Sequence, residues 1–231
     1  MAKKKRKTLN PIIKILLLIF ITFLVICNVI FYKGYITYQA AINEVSIEEK
    51  IDEIKRQDNY TKIEYVSDYY KDAVIAVEDH RFYKHKGIDL ISTFGALFSN
   101  IKTQSLGMGG STITQQLAKN MYFSQKKEFT RKVAELFVAL DLEKTLTKEE
   151  ILELYVNIIY FGDGYYGIEN ASEGYYGKSA NSLTQEEAIM LAGLPAAPSV
   201  YSPTVNKDLA DQRYKQVESA MKKYGYLKNE N

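Results

Sequence analysis

Three groups of polar side chains have types and spacings that could do chemistry. In VIAVEDHRFYKHKGID, residues 74–89, an apolar run ends abruptly in Glu78 and Asp79. A carboxylate carried straight out of a buried segment is held in a fixed direction, and two adjacent ones there call for a reason. In SLGMGGSTITQQLAKN, residues 105–120, glycines at 107, 109 and 110 precede a helix that Ser111 is placed to cap. Ile113, Leu117 and Met121 recur every four residues and predict the buried face, which turns Thr112, Gln115, Gln116 and Lys119 elsewhere. A stripe of hydroxyl, amide and ammonium groups fits a polyhydroxylated or phosphorylated ligand, which needs many donors and acceptors at set positions. The third group is Glu135, expected on the polar side of its helix with Arg131 and Lys132.

Taken singly, each group has an ordinary reading. Glu78 and Asp79 would be a solvated helix start, the stripe a solvated helix face, and Glu135 part of an exposed ion pair worth about 0.3 to 0.5 kcal/mol. His80 and His85 are not four apart, the spacing of a helical zinc pair, so they do not predict a metal site. No lysine follows the glycines at the Walker position, so the loop is not a P-loop. Cys27 is the single cysteine, which excludes a disulfide or a Cys-based metal site within one chain.

The elements that must hold these residues are mainly helical from Ile63 onward. TRKVAELFVALDLEKTL places Val133, Leu136, Phe137 and Leu140 on one stripe, which predicts a helix with that face in the core. Thr147 with Glu150 and Thr184 with Glu187 form capping boxes at two further helix starts, and Pro195 and Pro198 stop the second of these helices. Leu209, Tyr214, Val217 and Met221 predict a closing helix. Upstream, Ser46 and Glu49 resemble a capping box before Ile47, Ile51 and Ile54, so residues 33–62 read as a stalk with one short amphipathic helix. No internal repeat is visible.

At 231 residues the chain fits one sizeable domain plus an appendage. The net charge of +2 is uneven: residues 1–14 hold six basic side chains and no acid, which leaves −4 for the remainder. A basic tail on a mildly acidic body argues against a nucleic-acid partner. Residues 15–32, ILLLIFITFLVICNVIFY, carry no charge and reach the ~17 to 25 residues that cross a bilayer as a helix. The flank YKGYITYQ lacks a small-residue cleavage site, so an uncleaved single-pass anchor is expected rather than a signal peptide. The charge bias puts residues 1–14 in the cytoplasm and everything after Lys33 outside it.

In combination the groups match one family in order and spacing. E-D-x-x-F-x-x-H-x-G occurs as Glu78, Asp79, Phe82, His85 and Gly87. G-G-S-T-I-T-Q-Q-L-x-K-N runs from Gly109 to Asn120, and R-K-x-x-E is Arg131, Lys132 and Glu135. I-L-x-x-Y-x-N-x-x-x-x-G is Ile151, Leu152, Tyr155, Asn157 and Gly162, and LPAAPSVYSP looks like the last block. The chain resembles the peptidoglycan glycosyltransferases of family 51, the transglycosylase domain of class A penicillin-binding proteins, and in particular their monofunctional membrane-anchored members. The resemblance covers about residues 63 to 225.

That resemblance implies a mainly α, lysozyme-like domain over residues 63–231, with its cleft beside the membrane. It implies lipid II and the growing glycan-pyrophosphoryl-lipid as substrates, an inverting β-1,4 transfer, and other cell-wall synthesis proteins as partners. Glu78 would be the general base and Glu135 would serve the donor side. Asp79, Phe82, His85, Ser111, Thr112, Gln115, Gln116, Lys119, Asn120, Lys127, Arg131, Lys132, Tyr155 and Asn157 would contact substrate. Gly95 stands where many members carry arginine, and Lys127, which cannot form a bidentate fork to phosphate, stands where arginine is common. Mg²⁺ or another divalent cation commonly accompanies pyrophosphate chemistry, but the sequence shows no ligand cage for one. A glycan-cleaving enzyme with Glu78 as acid, or a non-catalytic scaffold of the wall machinery, are the competing readings. S-x-x-K at Ser99, Ser124 and Ser219 is too loose to predict a second, penicillin-binding domain, there is no K-T-G, and the chain ends at Asn231.

Overall fold

The computed structural model describes residues 10–103, 109–123 and 129–228, with the backbone alone for residues 97–103. Lys127 lies outside the described residues. The described chain is helical, with no strand beyond the isolated bridges Lys86 to Ile88 and Tyr160 to Tyr166.

Helix α1 runs unbroken over Pro11–Glu44. Its start follows from the sequence: Pro11 occupies the first turn, and the Asn10 side chain accepts from the Ile12 amide. Its 34 residues give a rod of about 50 Å, longer than the ~30 Å hydrocarbon layer. The apolar stretch does not give way to a separate element at Lys33; the same helix continues to Glu44 and packs along α6 (Phe129–Thr145). Gly34 makes the approach possible, since a Cβ there would lie 2.5 Å from Val133 Cβ and 2.9 Å from the Thr130 carbonyl oxygen. Around that contact the rings of Phe31, Tyr35 and Tyr38 surround Phe137 at centroid distances of 5.4, 5.3 and 5.2 Å. The Tyr38 hydroxyl donates to Asp141.

This docking corrects the expected face of α6. Val133 and Phe137 meet the anchor helix, while Ala134, Glu135, Val138, Ala139 and Leu142 are the buried residues. The small Ala134 and Ala139 let the neighbouring helices come close, which a count of large apolar residues overlooks. Replacing Gly34 by leucine should overpack the α1–α6 contact and cost about 1 to 3 kcal/mol. In detergent the melting temperature of the full chain should fall by about 2 to 10 °C. An unchanged melt would mean that the two helices do not depend on this contact.

The remaining helices enclose one core. Helix α2 (Ile47–Lys55) starts at Ser46, whose hydroxyl accepts from the Glu49 amide, and buries Ile47, Ile51 and Ile54. It packs on α7 (Lys148–Ile158), so the segment read as a stalk contributes to the core. Helix α3 (Asp68–Glu78) packs on both α9 (Gln185–Gly193) and α11 (Lys207–Tyr224), which also pack on each other, and α5 (Ile113–Tyr122) lies against α6 and α7. Helices α4 (Leu90–Thr103), α8 (Ile168–Tyr176) and α10 (Pro198–Tyr201) complete the order. Both downstream capping boxes form, at Thr147 with Glu150 and at Thr184 with Glu187. Helix α9 ends at Gly193, and Pro195 sits in the short 3-10 turn that follows.

Candidate functional site

Glu78 closes α3, a helix whose Tyr70, Ala73, Val74, Ile75 and Ala76 are buried, so its carboxylate is anchored by the core behind it. Its side chain keeps 12% exposure. From α5, Gln116 Nε2 donates to Glu78 Oε2 at 2.7 Å. From α11, an Arg213 terminal nitrogen reaches Glu78 Oε1 at 3.4 Å. Tyr155, from α7, donates its hydroxyl to Gln116 Oε1 at 3.2 Å. Helices α3, α5 and α11 thus meet at this carboxylate, and α7 supports it through Gln116.

Arg213 has no place in the motifs read from sequence. Its Nε donates to the Gly193 carbonyl at 3.1 Å, and its guanidinium lies over the Tyr201 ring at 5.6 Å. A Cβ at Gly193 would fall 2.9 Å from Arg213 Cγ, so the glycine makes room for the arginine. One signal was available: Arg213 stands four before Val217 on the stripe that buries Ala210, Val217 and Met221, an unusual place for a charge.

The second carboxylate is more buried than its sequence suggests. Glu135 is 1% exposed, not on a solvated face. It holds Arg131 and Lys132, the latter at 3.0 Å, both on its own helix at one-turn spacing. Lys132 Nζ also donates to Ser111 Oγ at 2.7 Å. Ser111 therefore serves this cluster and does not cap α5; Thr112 is the N-cap, in a reciprocal box with Gln115. Lys119, part-buried on α5, lies within the field of both Glu135 and Glu78. Burial lowers its ammonium pKa from the ordinary lysine range, Glu135 opposes that, Arg131 and Lys132 add to it, and Glu78 opposes it more weakly.

Several of the expected contact residues are instead turned inward as supports. Asp79 is 5% exposed and accepts from the Ile113 amide at 3.0 Å while facing His85 Nε2 at 2.9 Å. It thereby ties the end of α3 to the start of α5, directly behind Glu78 and Gln116. Phe82 is fully buried, with Lys148 Nζ 4.4 Å from its ring centre. Thr112 and Gln115 are buried in the capping box, and Thr112 also donates to the Gly87 carbonyl at 2.6 Å. They were expected on the ligand-facing stripe; the unsatisfied amides at a helix start claim them first. Asn157 uses both ends of its amide on the Thr61 backbone at 2.8 Å, which clamps the chain entering α3. Asn120 is half-buried on α5, and Lys127 lies outside the described residues. Among the described residues no cluster of three His, Cys, Asp or Glu side chains is placed to hold a metal.

The arrangement can accept a proton at Glu78 and gather negative charge at Lys119, Arg131 and Lys132. Known proteins with similar sequences place the chain in a family. Penicillin-binding protein 1A of Neisseria flavescens is 45% identical over 168 residues, covering 73% of this chain and 21% of that protein. Penicillin-binding protein 1F of Bacillus subtilis strain 168 is 36% identical over 234 residues, covering 97% of this chain and 32% of that protein. The chain thus spans less than a third of the length of these curated relatives. A crystal structure of penicillin-binding protein 1A from Haemophilus influenzae aligns with 51% of this chain and 14% of its own, at 32% identity and a TM-score of 0.35. The profile of the transglycosylase family matches residues 46–222, from the cap of α2 into the last turn of α11. Residues 46–222 are a transglycosylase domain, and the chain belongs to that family.

Proposed function

We propose that this chain is a peptidoglycan glycosyltransferase that joins lipid II units by β-1,4 bonds. The 4-hydroxyl of the incoming acceptor gives its proton to Glu78 and attacks the anomeric carbon of the growing chain. The bond to the lipid pyrophosphate breaks with inversion, and the pyrophosphate leaves with the electron pair. A sugar hydroxyl is a weak nucleophile, and a positioned base supplies ~10²- to 10⁴-fold. Preorganised cations aimed at developing charge supply ~10²- to 10³-fold more per donor.

The observation that carries this reading is the pairing of unlike surroundings. Glu78 faces two hydrogen-bond donors, Gln116 and Arg213, which stabilise the ionised, proton-accepting carboxylate more than the protonated acid that a glycan-cleaving enzyme uses. Lys119, Arg131 and Lys132 gather around Glu135, a cationic corner that a pyrophosphate leaving group uses and a neutral glycan does not.

The same reading assigns residues 1–14 to the cytoplasm, residues 15–32 to the bilayer and the domain to the outer face, where its lipid-borne substrate arrives by lateral diffusion. The six basic residues before the span support this orientation. The purified full chain should convert labelled lipid II to polymer on a gel. Absence of polymer, or shortening of preformed glycan strands, would overturn the proposal.

A further inference from the structure

We propose that the Tyr155 hydroxyl is a positioning group for the reaction: it fixes the Gln116 amide with its NH₂ toward Glu78 and so holds the base in place. The inference rests on the reading of Glu78 as that base.

An amide side chain can sit in either of two orientations, and its two partners here decide between them. Glu78 as a carboxylate has no proton to give, so it requires the NH₂ side, which lies 2.7 Å away. Tyr155 has a proton to give, so it requires the oxygen side, at 3.2 Å. Flipping the amide would set oxygen against carboxylate and lose both bonds. The phenol is a dependable donor: Tyr155 is fully buried, and burial, followed by the charge of Glu78 and by Tyr70 and Asp79, pushes its pKa well above the ordinary tyrosine range.

No second hydroxyl is seen to do this work. Tyr70 is fully buried within the field of Glu78, and among the described residues its hydroxyl has no partner. The charged and titratable groups around Glu78 are Arg213 from α11, Lys119 from α5, Tyr155 from α7, and Tyr70 and Asp79 of its own segment. Helix α9 presents the Gly193 carbonyl, to Arg213. Of the two donors on Glu78, Gln116 is the nearer, so loss of its orientation should be felt directly.

The test is a double-mutant cycle in the full chain with labelled lipid II in detergent, using Tyr155→Phe, Gln116→Ala and their combination. Tyr155→Phe should lower kcat about tenfold, the scale of one hydrogen bond to a charged network, and leave KM within about twofold. Losing a donor disfavours the carboxylate, so the acid limb of the pH–rate profile should move to higher pH. Gln116→Ala should show the same movement, and the double variant should be no worse than Gln116→Ala alone. Losses that multiply, an unmoved acid limb, or a deficit confined to KM would overturn the proposal. If Tyr155→Phe fails to fold, Tyr155→Leu, which also lacks the hydroxyl, takes its place in the cycle under the same criteria. Glu78→Gln is run alongside: an active Glu78→Gln refutes the base itself, whereas an inert one beside a multiplicative cycle refutes only the role of Tyr155.

Discussion

Glu78→Gln should reduce polymerisation of lipid II by at least ~10²-fold and up to ~10⁴-fold, the full contribution of a positioned general base. The substitution keeps the shape of the side chain and removes its basicity. The helix behind it is buried at Tyr70, Ala73, Val74, Ile75 and Ala76, so the fold has no reason to change. Circular dichroism and a thermal melt should match the parent chain while the gel assay shows no glycan ladder. Turnover within a few-fold of the parent would remove Glu78 from the mechanism and leave the Gln116 and Arg213 contacts as a structural tie.

Glu135→Gln is expected to be nearly as severe, about 10²-fold in turnover, for a different reason. Glu135 is 1% exposed and is the counter-charge that holds Arg131 and Lys132 one turn away. Without it three cations, Lys119 included, face one another with one carboxylate fewer. Because Glu135 opposes the depression of the Lys119 pKa, its loss should push that pKa further down. If Lys119 must be protonated to meet pyrophosphate, activity should fall away at lower pH on the alkaline side than in the parent chain. Glu135→Ala, which also deletes the hydrogen-bond acceptor of a buried pair, should further destabilise the domain by about 3 kcal/mol. Full activity with an unmoved alkaline limb would show that Glu135 serves the fold alone. The two carboxylates are thereby distinguishable in one set of profiles, since loss of the Gln116 donor acts on the acid limb and loss of Glu135 on the alkaline limb.

The capping boxes at Thr147 and Thr184, the turn after α9 and the apolar run of the anchor were legible because each depends on residues within one or two turns of chain. The order of the blocks around Glu78, Gln116, Glu135 and Tyr155 was legible for the same reason, since motif residues lie close together in each block. Which members of a block face the site was not. Thr112, Gln115, Asp79 and Asn157 have the same side-chain chemistry whether they meet a ligand or a backbone amide, and the competition is settled by which unsatisfied groups packing leaves nearby. Glu135 shows the same limit, because a charge on a helix reads as solvated until the helix is seen to be buried on both sides, by the core and by α1.

What the sequence determined by itself was the family, through the order of its blocks, and local structure: helix starts and stops, an apolar span, and two carboxylates placed at the ends or sides of helices. Tertiary structure alone decided that Arg213, 135 residues away from Glu78 along the chain, shares its carboxylate, and that Gly34 seats the anchor on the helix that carries Glu135. Both are contacts between elements distant in sequence. They exist because burying the apolar faces of α3, α9 and α11, and of α1 and α6, brings those side chains within reach, and no periodicity in a single segment records which partner a buried face will find.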